Sequence, residues 1–255
     1  MLAVRAARDA LPIAQAPPNP ADIRAKGDRD LTTPTDEAIE DAIRMTLAGE
    51  AGATVVGEER GGMRPSGNAP YWLVDPLCGT RNHASGVPLY CVNVAFVESG
   101  VVTAAVVADA GSGQILAAER GAGAWRQLDD GWSRLSTTSA SRTLVIEDSH
   151  ASGRRREWAA RFVAAAIRAD RWDIRSLGTT LALGYLACGR TAGYALFWTS
   201  AVHAAAGSLL VTEAGGLVTD LDGVAWTVDA DSIVASADAP LHELVVALLR
   251  DAESR

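Results

Sequence analysis

Residues 72–82 carry a carboxylate, a thiol and a glycine-containing turn in an order that could bind an anion beside a metal ion. The segment reads Trp-Leu-Val-Asp-Pro-Leu-Cys-Gly-Thr-Arg-Asn. Its apolar run predicts a strand that ends at Asp75, and the proline and Gly79 that follow predict a turn into a helix. Backbone N–H groups at such a helix start bind phosphate or sulfate, so Gly79, Thr80 and Arg81 are candidate anion-binding residues. Asp75 could hold Mg²⁺ against phosphate oxygens, although an ordinary turn has the same local sequence.

Further polar and glycine-containing segments follow a set order between residues 26 and 223. Together with the loop at 72–82 they resemble the motifs of the inositol monophosphatase family, whose loop reads Trp-hydrophobic-hydrophobic-Asp-Pro-hydrophobic-Asp-Gly-Thr-x-Asn. The other segments are Lys26 with 30–36, then 55–59, 120–125, 177–179, 187–190, 198–201 and 213–216. The resemblance implies an α/β fold arranged as an α-β-α-β-α layered sandwich, commonly a homodimer, in a superfamily of Mg²⁺-dependent, lithium-sensitive phosphatases.

The resemblance also assigns metal ligands. It places a first ion on Glu58, Asp75 and the backbone carbonyl of Leu77, all of which this chain has. It places a second ion on Asp75 and two further aspartates, at whose positions this chain has Cys78 and Thr199. Because Mg²⁺ prefers oxygen ligands in octahedral geometry, a thiol and a neutral hydroxyl are poor replacements. We therefore expect a degraded metal site, with one Mg²⁺ at most and weak or absent occupancy.

Four residues are candidates for the chemical step. The resemblance pairs Thr80 with Asp36 in activating the attacking water. His203 lies four residues after Thr199 on a predicted helix, so the two share a face and His203 could point into the site, the alternative being a packed histidine. Cys78 would lie at a helix N-terminus, where a thiol can have a lowered pKa, and could form a nucleophile and base pair with His203. The alternative for Cys78 is simple loss of the aspartate.

The candidate substrate-binding residues are Thr179 and Thr199. Between the glycine and arginine at 189–190 and Trp198 the family carries a longer segment with an acidic substrate contact. This chain has the shorter, mostly apolar segment 191–197 in its place. An inositol ring would find few acceptors there, so we do not expect inositol phosphate as the ligand.

Length and charge limit the functional classes. The chain has 255 residues, is 48% hydrophobic and carries a net charge of −8. This length suits one inositol-monophosphatase-like domain over residues 1–255, with halves at about 1–145 and 146–255. The negative charge argues against nucleic-acid binding, and the apolar runs are too short to cross a membrane. Three cysteines without a recognisable signal peptide predict a reducing, cytoplasmic location.

Hydrophobic periodicity predicts the main elements. Helices are expected from the N-terminus to about residue 15, at 36–48 with Thr35 as its cap, and at 154–169, 179–188, 200–214 and 241–251. Strands are expected at 54–56, 71–74, 90–97, 101–108 and 114–118. The strands at 90–97 and 101–108 follow a hairpin pattern that turns at Ser99 and Gly100.

Three functional hypotheses follow from the loop and its altered residues. The leading one is an enzyme for a small phosphorylated or sulfated metabolite that expels the oxyanion by elimination or intramolecular displacement and requires no cofactor. The second is a weak hydrolase of phosphate monoesters that uses the one remaining Mg²⁺ site. The third is a non-catalytic subunit that pairs with an active homologue as a heteromer.

Overall fold

The computed structural model describes residues 2–19, 23–27, 30–48, 53–138, 140–148 and 151–254. Its helices and strands form alternating layers, which confirms the α/β layered fold that the family resemblance implied. The helices are α1 (Leu2–Ala14), α2 (Pro34–Ala48), α3 (Thr80–Ala84), α4 (Gly153–Arg168), α5 (Leu181–Ala187), α6 (Ala201–Glu213) and α7 (Ala239–Ser254).

The larger sheet has seven strands in the order β3-β4-β5-β6-β7-β8-β9. Their bounds are β3 (Thr54–Gly57), β4 (Tyr71–Cys78), β5 (Cys91–Glu98), β6 (Val101–Asp109), β7 (Gln114–Glu119), β8 (Gly123–Leu128) and β9 (Gly131–Arg134). Helices α1 and α2 pack on one face through small and branched side chains that meet Trp72, Val74 and Val94. The predicted hairpin between β5 and β6 is confirmed, with Ser99 and Gly100 both at positive φ.

The smaller sheet has five strands in the order β11-β10-β12-β14-β13. Their bounds are β10 (Thr143–Glu147), β11 (Asp173–Arg175), β12 (Gly193–Leu196), β13 (Leu217–Thr219) and β14 (Ile233–Ser236). Helices α5 and α6 lie between the two sheets, where Leu183 and Leu210 share one core cluster with Tyr194 of β12 and Leu116 of β7. Helices α4 and α7 cover the outer face of the smaller sheet around Phe162 and Leu249.

Strand β4 is longer than the sequence predicted, and this lengthening shapes the site. The strand was expected at 71–74 with Asp75 at its end, but it continues to Cys78, which pairs with Cys91 of β5. Its register with β5 shifts between Asp75 and Cys78. Since a proline has no N–H to donate, a bulge at this point accommodates Pro76 within a paired strand. Asp75 and Cys78 therefore both lie on a firmly held strand.

Helix α2 begins earlier than predicted, and its cap is Thr33, not Thr35. The Thr33 N–H donates to Asp36 Oδ2 at 2.8 Å, and the Asp36 N–H donates back to the Thr33 carbonyl at 3.1 Å. Pro34 takes the first helical position, where its missing N–H removes no helix bond. This reciprocal cap fixes the carboxylate of Asp36 at the helix start.

Several short strands were not predicted: β8, β9, β11 to β14, and the pair β1 (Arg24–Gly27) and β2 (Asp30–Thr32). Helices α1, α4, α6 and α7 lie close to the predicted ranges, whereas α5 is shorter than the predicted 179–188. None of the helices within the described ranges is long and apolar enough to cross a membrane.

Candidate active site

A cavity of about 420 Å³ lies where the C-terminal end of β4 meets the starts of α3, α5 and α6. Most of the residues singled out from the sequence line it: Glu58, Leu77, Cys78, Gly79, Thr80, Arg81, Thr179, Thr199 and His203. Asp36 and Asp75 lie just behind this lining, each at most 1% exposed. The fold thus brings together all the residues that the sequence proposed for the site.

Asp75 and His203 form the central contact of the site. His203 Nδ1 lies 2.8 Å from Asp75 Oδ2, and the imidazole is 24% exposed towards the cavity. Burial alone would lower the pKa of His203, but the charge of Asp75 and the hydrogen bond to it raise that pKa well above its usual range. Because Nδ1 faces the carboxylate, Nε2 is the ring atom left for a ligand. The alternative of a merely packed histidine does not fit this placement.

Glu58 lies on the same side of the histidine as Asp75, close to Nδ1. Its Oε2 is 3.9 Å from His203 Nδ1, and its Oε1 is 3.7 Å from Lys26 Nζ. Burial, and then the neighbouring charge of Asp75, raise the pKa of Glu58 to about 9. Two carboxylates pressed together in this way favour either a bound proton or a bound cation.

The residues proposed for the first ion fit Mg²⁺. Glu58 and Asp75 offer carboxylate oxygens, and Leu77 offers a backbone carbonyl, whose oxygen lies 3.1 Å from Thr80 Oγ1. Asp75 Oδ1 is buried and has no hydrogen-bond partner among the described residues. An unsatisfied buried carboxylate oxygen is costly unless a cation occupies its open side. This orphaned oxygen is the observation that supports a magnesium ion here.

The residues at the second position do not fit Mg²⁺. Cys78 Sγ accepts from the Thr180 N–H at 3.2 Å, and the Thr199 hydroxyl donates to the Ser200 carbonyl at 3.3 Å. The expected lowered pKa of Cys78 is wrong, because a hydrogen bond with Cys91 and burial raise that pKa well above its usual range. The reason is location: Cys78 ends strand β4 and does not lie in helix α3. Its catalytic role remains a prediction.

Thr80 and Asp36 are in contact, as the sequence proposed. Thr80 Oγ1 lies 3.0 Å from Asp36 Oδ1 and within hydrogen-bond range of the Leu77 carbonyl. Gly79 directly precedes Thr80 and has φ 103°, and a Cβ there would meet the Leu89 carbonyl oxygen at 2.9 Å. A glycine is therefore required at this turn, which directs the first N–H groups of α3 and the Arg81 side chain towards the cavity rim.

The far wall of the cavity is formed by Thr179, Thr199 and the segment around β12. Thr179 is buried and donates its hydroxyl to the Cys78 carbonyl at 2.9 Å, so it supports the loop as well as lining the cavity. Thr199 is 3% exposed and its N–H donates to the Asp231 carbonyl. Leu196 and the half-exposed Trp198 give this wall the apolar character that the sequence suggested.

Three site residues escaped the sequence reasoning. Asn93 of β5 donates to Thr180 Oγ1 at 3.1 Å and lies 3.4 Å from Asp75 Oδ2. It therefore orients the Thr180 hydroxyl, which contacts Cys78, and the Asp75 carboxylate. Glu147 accepts from the N–H groups of Leu177 and Gly178 at 2.6 and 2.8 Å. The only signal for Asn93 and Glu147 was a polar residue in an otherwise apolar strand, and Thr180 gave none.

The chain matches the model of the inositol monophosphatase family over residues 2–254. It is 31% identical over 240 residues to an inositol-1-monophosphatase of Mesorhizobium japonicum, covering 91% of this chain and 88% of that one. It is also 31% identical over 248 residues to a Nus factor SuhB of Vibrio cholerae, covering 92% and 90% of the two chains.

Among solved structures, the extragenic suppressor protein suhB of Bartonella henselae superimposes with a TM-score of 0.83 at 26% identity. The match covers 98% of this chain and 97% of that one. The layered architecture, the loop that ends β4 and the whole-length matches agree with one another, and the chain therefore belongs to the inositol monophosphatase family.

Proposed function

We propose that this protein hydrolyses a small phosphate monoester, with His203 acting at the ester oxygen where a second metal ion would act in a relative with intact carboxylates. The observation that carries the proposal is the 2.8 Å contact between His203 Nδ1 and Asp75 Oδ2, which leaves Nε2 available to a group in the cavity that His203 lines. An imidazole held in this way by a buried carboxylate is a common arrangement for proton transfer.

Each described group has a part in this reaction. The N–H groups that follow Gly79, with the Arg81 guanidinium, would bind the phosphate oxygens. Thr80 donates its hydroxyl hydrogen to Asp36, so a lone pair of Thr80 Oγ1 is available to the attacking water. The water proton passes to this pair, and His203 Nε2 gives a proton to the departing alcohol oxygen. Mg²⁺ on Glu58, Asp75 and the Leu77 carbonyl would supply positive charge beside the phosphate and lower the pKa of the water.

The hydrolase proposal revises the leading hypothesis from the sequence, which was elimination. Elimination needs a base that can take a proton from carbon, but Asp75 raises the pKa of His203 well above its usual range, which favours an imidazole that already carries its proton. The Thr80 and Asp36 contact, in contrast, suits activation of water. These contacts support hydrolysis at phosphorus more than cleavage of the carbon–oxygen bond.

The test is to compare esters whose alcohols differ in acidity, using p-nitrophenyl, phenyl, glycerol and simple alkyl phosphates with Mg²⁺. For alkyl esters we expect His203→Gln to lose about 10²–10⁴-fold in kcat, as for loss of a general acid. For p-nitrophenyl phosphate the loss should be far smaller, because this alcohol leaves without a proton. His242→Gln is the matched control, since His242 bonds Thr219 and Ser236 away from the cavity. An equal loss for all esters would contradict the role of His203.

A second measurement separates hydrolysis from elimination. In ¹⁸O-labelled water, attack at phosphorus places one label in the released phosphate and gives a plain alcohol. Unlabelled phosphate or sulfate with an unsaturated or cyclised product would overturn the hydrolase proposal and restore elimination.

A non-catalytic partner role is the second candidate, favoured by the whole-length match to a protein named as a Nus factor. Under this proposal the purified chain is inert towards every ester with Mg²⁺ and forms a heteromer with a homologue or with Nus proteins. Analytical ultracentrifugation of the chain alone and in mixtures measures this, and also tests the expected homodimer.

A further inference from the structure

A thiol, an imidazole and a carboxylate converge beside the cavity. Cys78 Sγ, His203 and Asp75 each offer a ligand atom, and these atoms all lie within 4.8 Å of one another. In tetrahedral zinc sites, Zn–S distances near 2.3 Å and Zn–N or Zn–O distances near 2.0–2.1 Å place ligand atoms about 3.3–3.6 Å apart. Side-chain shifts of about 1 Å would therefore bring the three atoms onto one ion.

The buried carboxylate of Asp75, whose open oxygen also suits the magnesium position, is a second sign that a cation binds beside it. Asp75 is 0% exposed, and within the described part of the chain its Oδ1 has no hydrogen-bond partner. Cys78 and His203 line the cavity, so an ion on these three residues would keep its fourth position open to it. Three protein ligands with an open fourth position is the pattern of catalytic or exchangeable zinc.

The surrounding residues hold the sulfur of Cys78 in a fixed position. The Thr180 N–H donates to Cys78 Sγ at 3.2 Å, and Thr180 Oγ1 lies 2.9 Å from the same sulfur. Asn93 donates to Thr180 Oγ1 at 3.1 Å, which leaves the Thr180 hydroxyl hydrogen free to turn towards the sulfur. Hydrogen bonds of this kind around the ligands of a metal orient them and tune their affinity.

From these contacts we propose that Asp75, Cys78 and His203 form a binding site for Zn²⁺ or a similar thiophilic divalent ion. Cys78 stands where the family resemblance places an aspartate that binds Mg²⁺. The cysteine gives the site a different selectivity, because thiolate and imidazole favour Zn²⁺ over Mg²⁺. The ion would replace the proton that His203 and Asp75 share, releasing it together with the Cys78 thiol proton. The proposal is independent of hydrolase activity, since it depends only on the ligand atoms.

The test uses untagged, reduced protein titrated with Co²⁺ and then Zn²⁺ alone. We expect one Co²⁺ per chain, with the intense visible bands of tetrahedral cobalt and a thiolate-to-cobalt charge-transfer band, both abolished by one equivalent of Zn²⁺. Cys78→Ser and His203→Gln should each weaken Zn²⁺ binding by more than about 100-fold, since loss of an outer-shell partner alone costs 10–100-fold. Cys188→Ser is the matched cysteine control and should bind as wild type does.

A pair of variants separates this site from the magnesium site. Glu58→Gln should lose Mg²⁺ binding by calorimetry but retain Zn²⁺, whereas Cys78→Ser should retain Mg²⁺ and lose Zn²⁺. Retained Mg²⁺ binding also shows that Cys78→Ser is folded. Cobalt binding without a charge-transfer band, or undiminished Zn²⁺ affinity in Cys78→Ser, would overturn the proposal.

Discussion

His203 Nδ1 on helix α6 lies 2.8 Å from Asp75 Oδ2 on strand β4, across 128 positions of sequence. The contact joins a helix from the second half of the chain to the loop strand of the first half. Asn93 steadies the same carboxylate oxygen from the neighbouring strand at 3.4 Å. Asp75 is thus held by two partners on one oxygen while its other oxygen stays open, and the consequences for catalysis and metal binding follow from this asymmetry.

The contact between Thr80 and Asp36 should govern the attack of water. We expect Thr80→Ala and Asp36→Asn each to lower kcat for phosphate release by about 10²–10⁴-fold, the range for loss of general base assistance. Thr80→Ser keeps the hydroxyl and should retain most of the rate. Because the two residues act as a unit, the double variant should be little slower than either single one. The affinity for inorganic phosphate, measured by competitive inhibition, should change little, and a parallel loss of that affinity would indicate a binding role instead.

A second metal ion and His203 should be interchangeable at the ester oxygen. In a His203→Gln background, adding Cys78→Asp and Thr199→Asp restores two carboxylates beside Asp75, so we expect a second Mg²⁺ by calorimetry. Phosphate release from alkyl esters should recover by about 100-fold, within the range for such electrostatic and acid effects.

The control for this rescue is Cys78→Asn with Thr199→Asn in the same background, which keeps the shapes without the charges. No recovery with asparagine and full recovery with aspartate would support the interpretation. Recovery in both variants would show that removal of the thiol, and not the charge, is responsible.

Much of the site was visible in the sequence because its residues lie in short segments with distinctive spacing. The loop around Asp75 and Gly79 and the helical spacing of Thr199 and His203 each predicted correct placement at the cavity. The long amphipathic helices and the β5–β6 hairpin were predictable for the same reason, since their periodicity is local.

The remainder depends on contacts that no local pattern reveals. The extension of β4 to Cys78 depends on pairing with Cys91, and it changes the environment of the thiol from a helix start to a strand end. Thr180 lies 102 positions from Cys78, and its N–H reaches the sulfur only because the fold places the start of α5 at the end of β4. Short strands such as β11 and β13 are set by their partners and carry too few residues for a period to appear.

A side chain at Gly79 should destabilise the turn for two separable reasons, the positive φ of the backbone and the close approach of neighbouring atoms. Gly79→Ala places a Cβ at φ 103°, 2.9 Å from the Leu89 carbonyl oxygen and 3.1 Å from Thr179 Cβ. Gly86→Ala is the matched control, because its φ is 71° but the added Cβ meets no described atom within 4 Å. We expect about 1–2 kcal/mol of destabilisation for Gly86→Ala from the backbone alone.

Gly79→Ala should cost more than this control in urea unfolding and should also weaken inorganic phosphate binding, which Gly86→Ala should not. Equal losses of unfolding free energy would show that the close approach to Leu89 is relieved by small shifts, and the turn would then be less constrained than its geometry indicates.

Glu147 should make the stability of the protein depend on pH. Burial raises the pKa of this carboxyl, against the hydrogen bonds from Ser176, Leu177 and Gly178 that lower it. A folded-state pKa above the unfolded value means that the folded chain holds the proton more tightly, so its contribution to stability is present at low pH and is lost as the pH rises through the folded pKa.

Glu147→Gln keeps an acceptor for the two N–H groups and removes this titration. In urea unfolding, the free energy of unfolding of Glu147→Gln relative to wild type should therefore increase between pH 4.5 and pH 8. Glu147→Ala should lose about 1–3 kcal/mol of unfolding free energy at both pH values, because it leaves buried donors unpaired. A difference between Glu147→Gln and wild type that does not change with pH would contradict the raised pKa, and would mean that the carboxylate is fully compensated by its three donors.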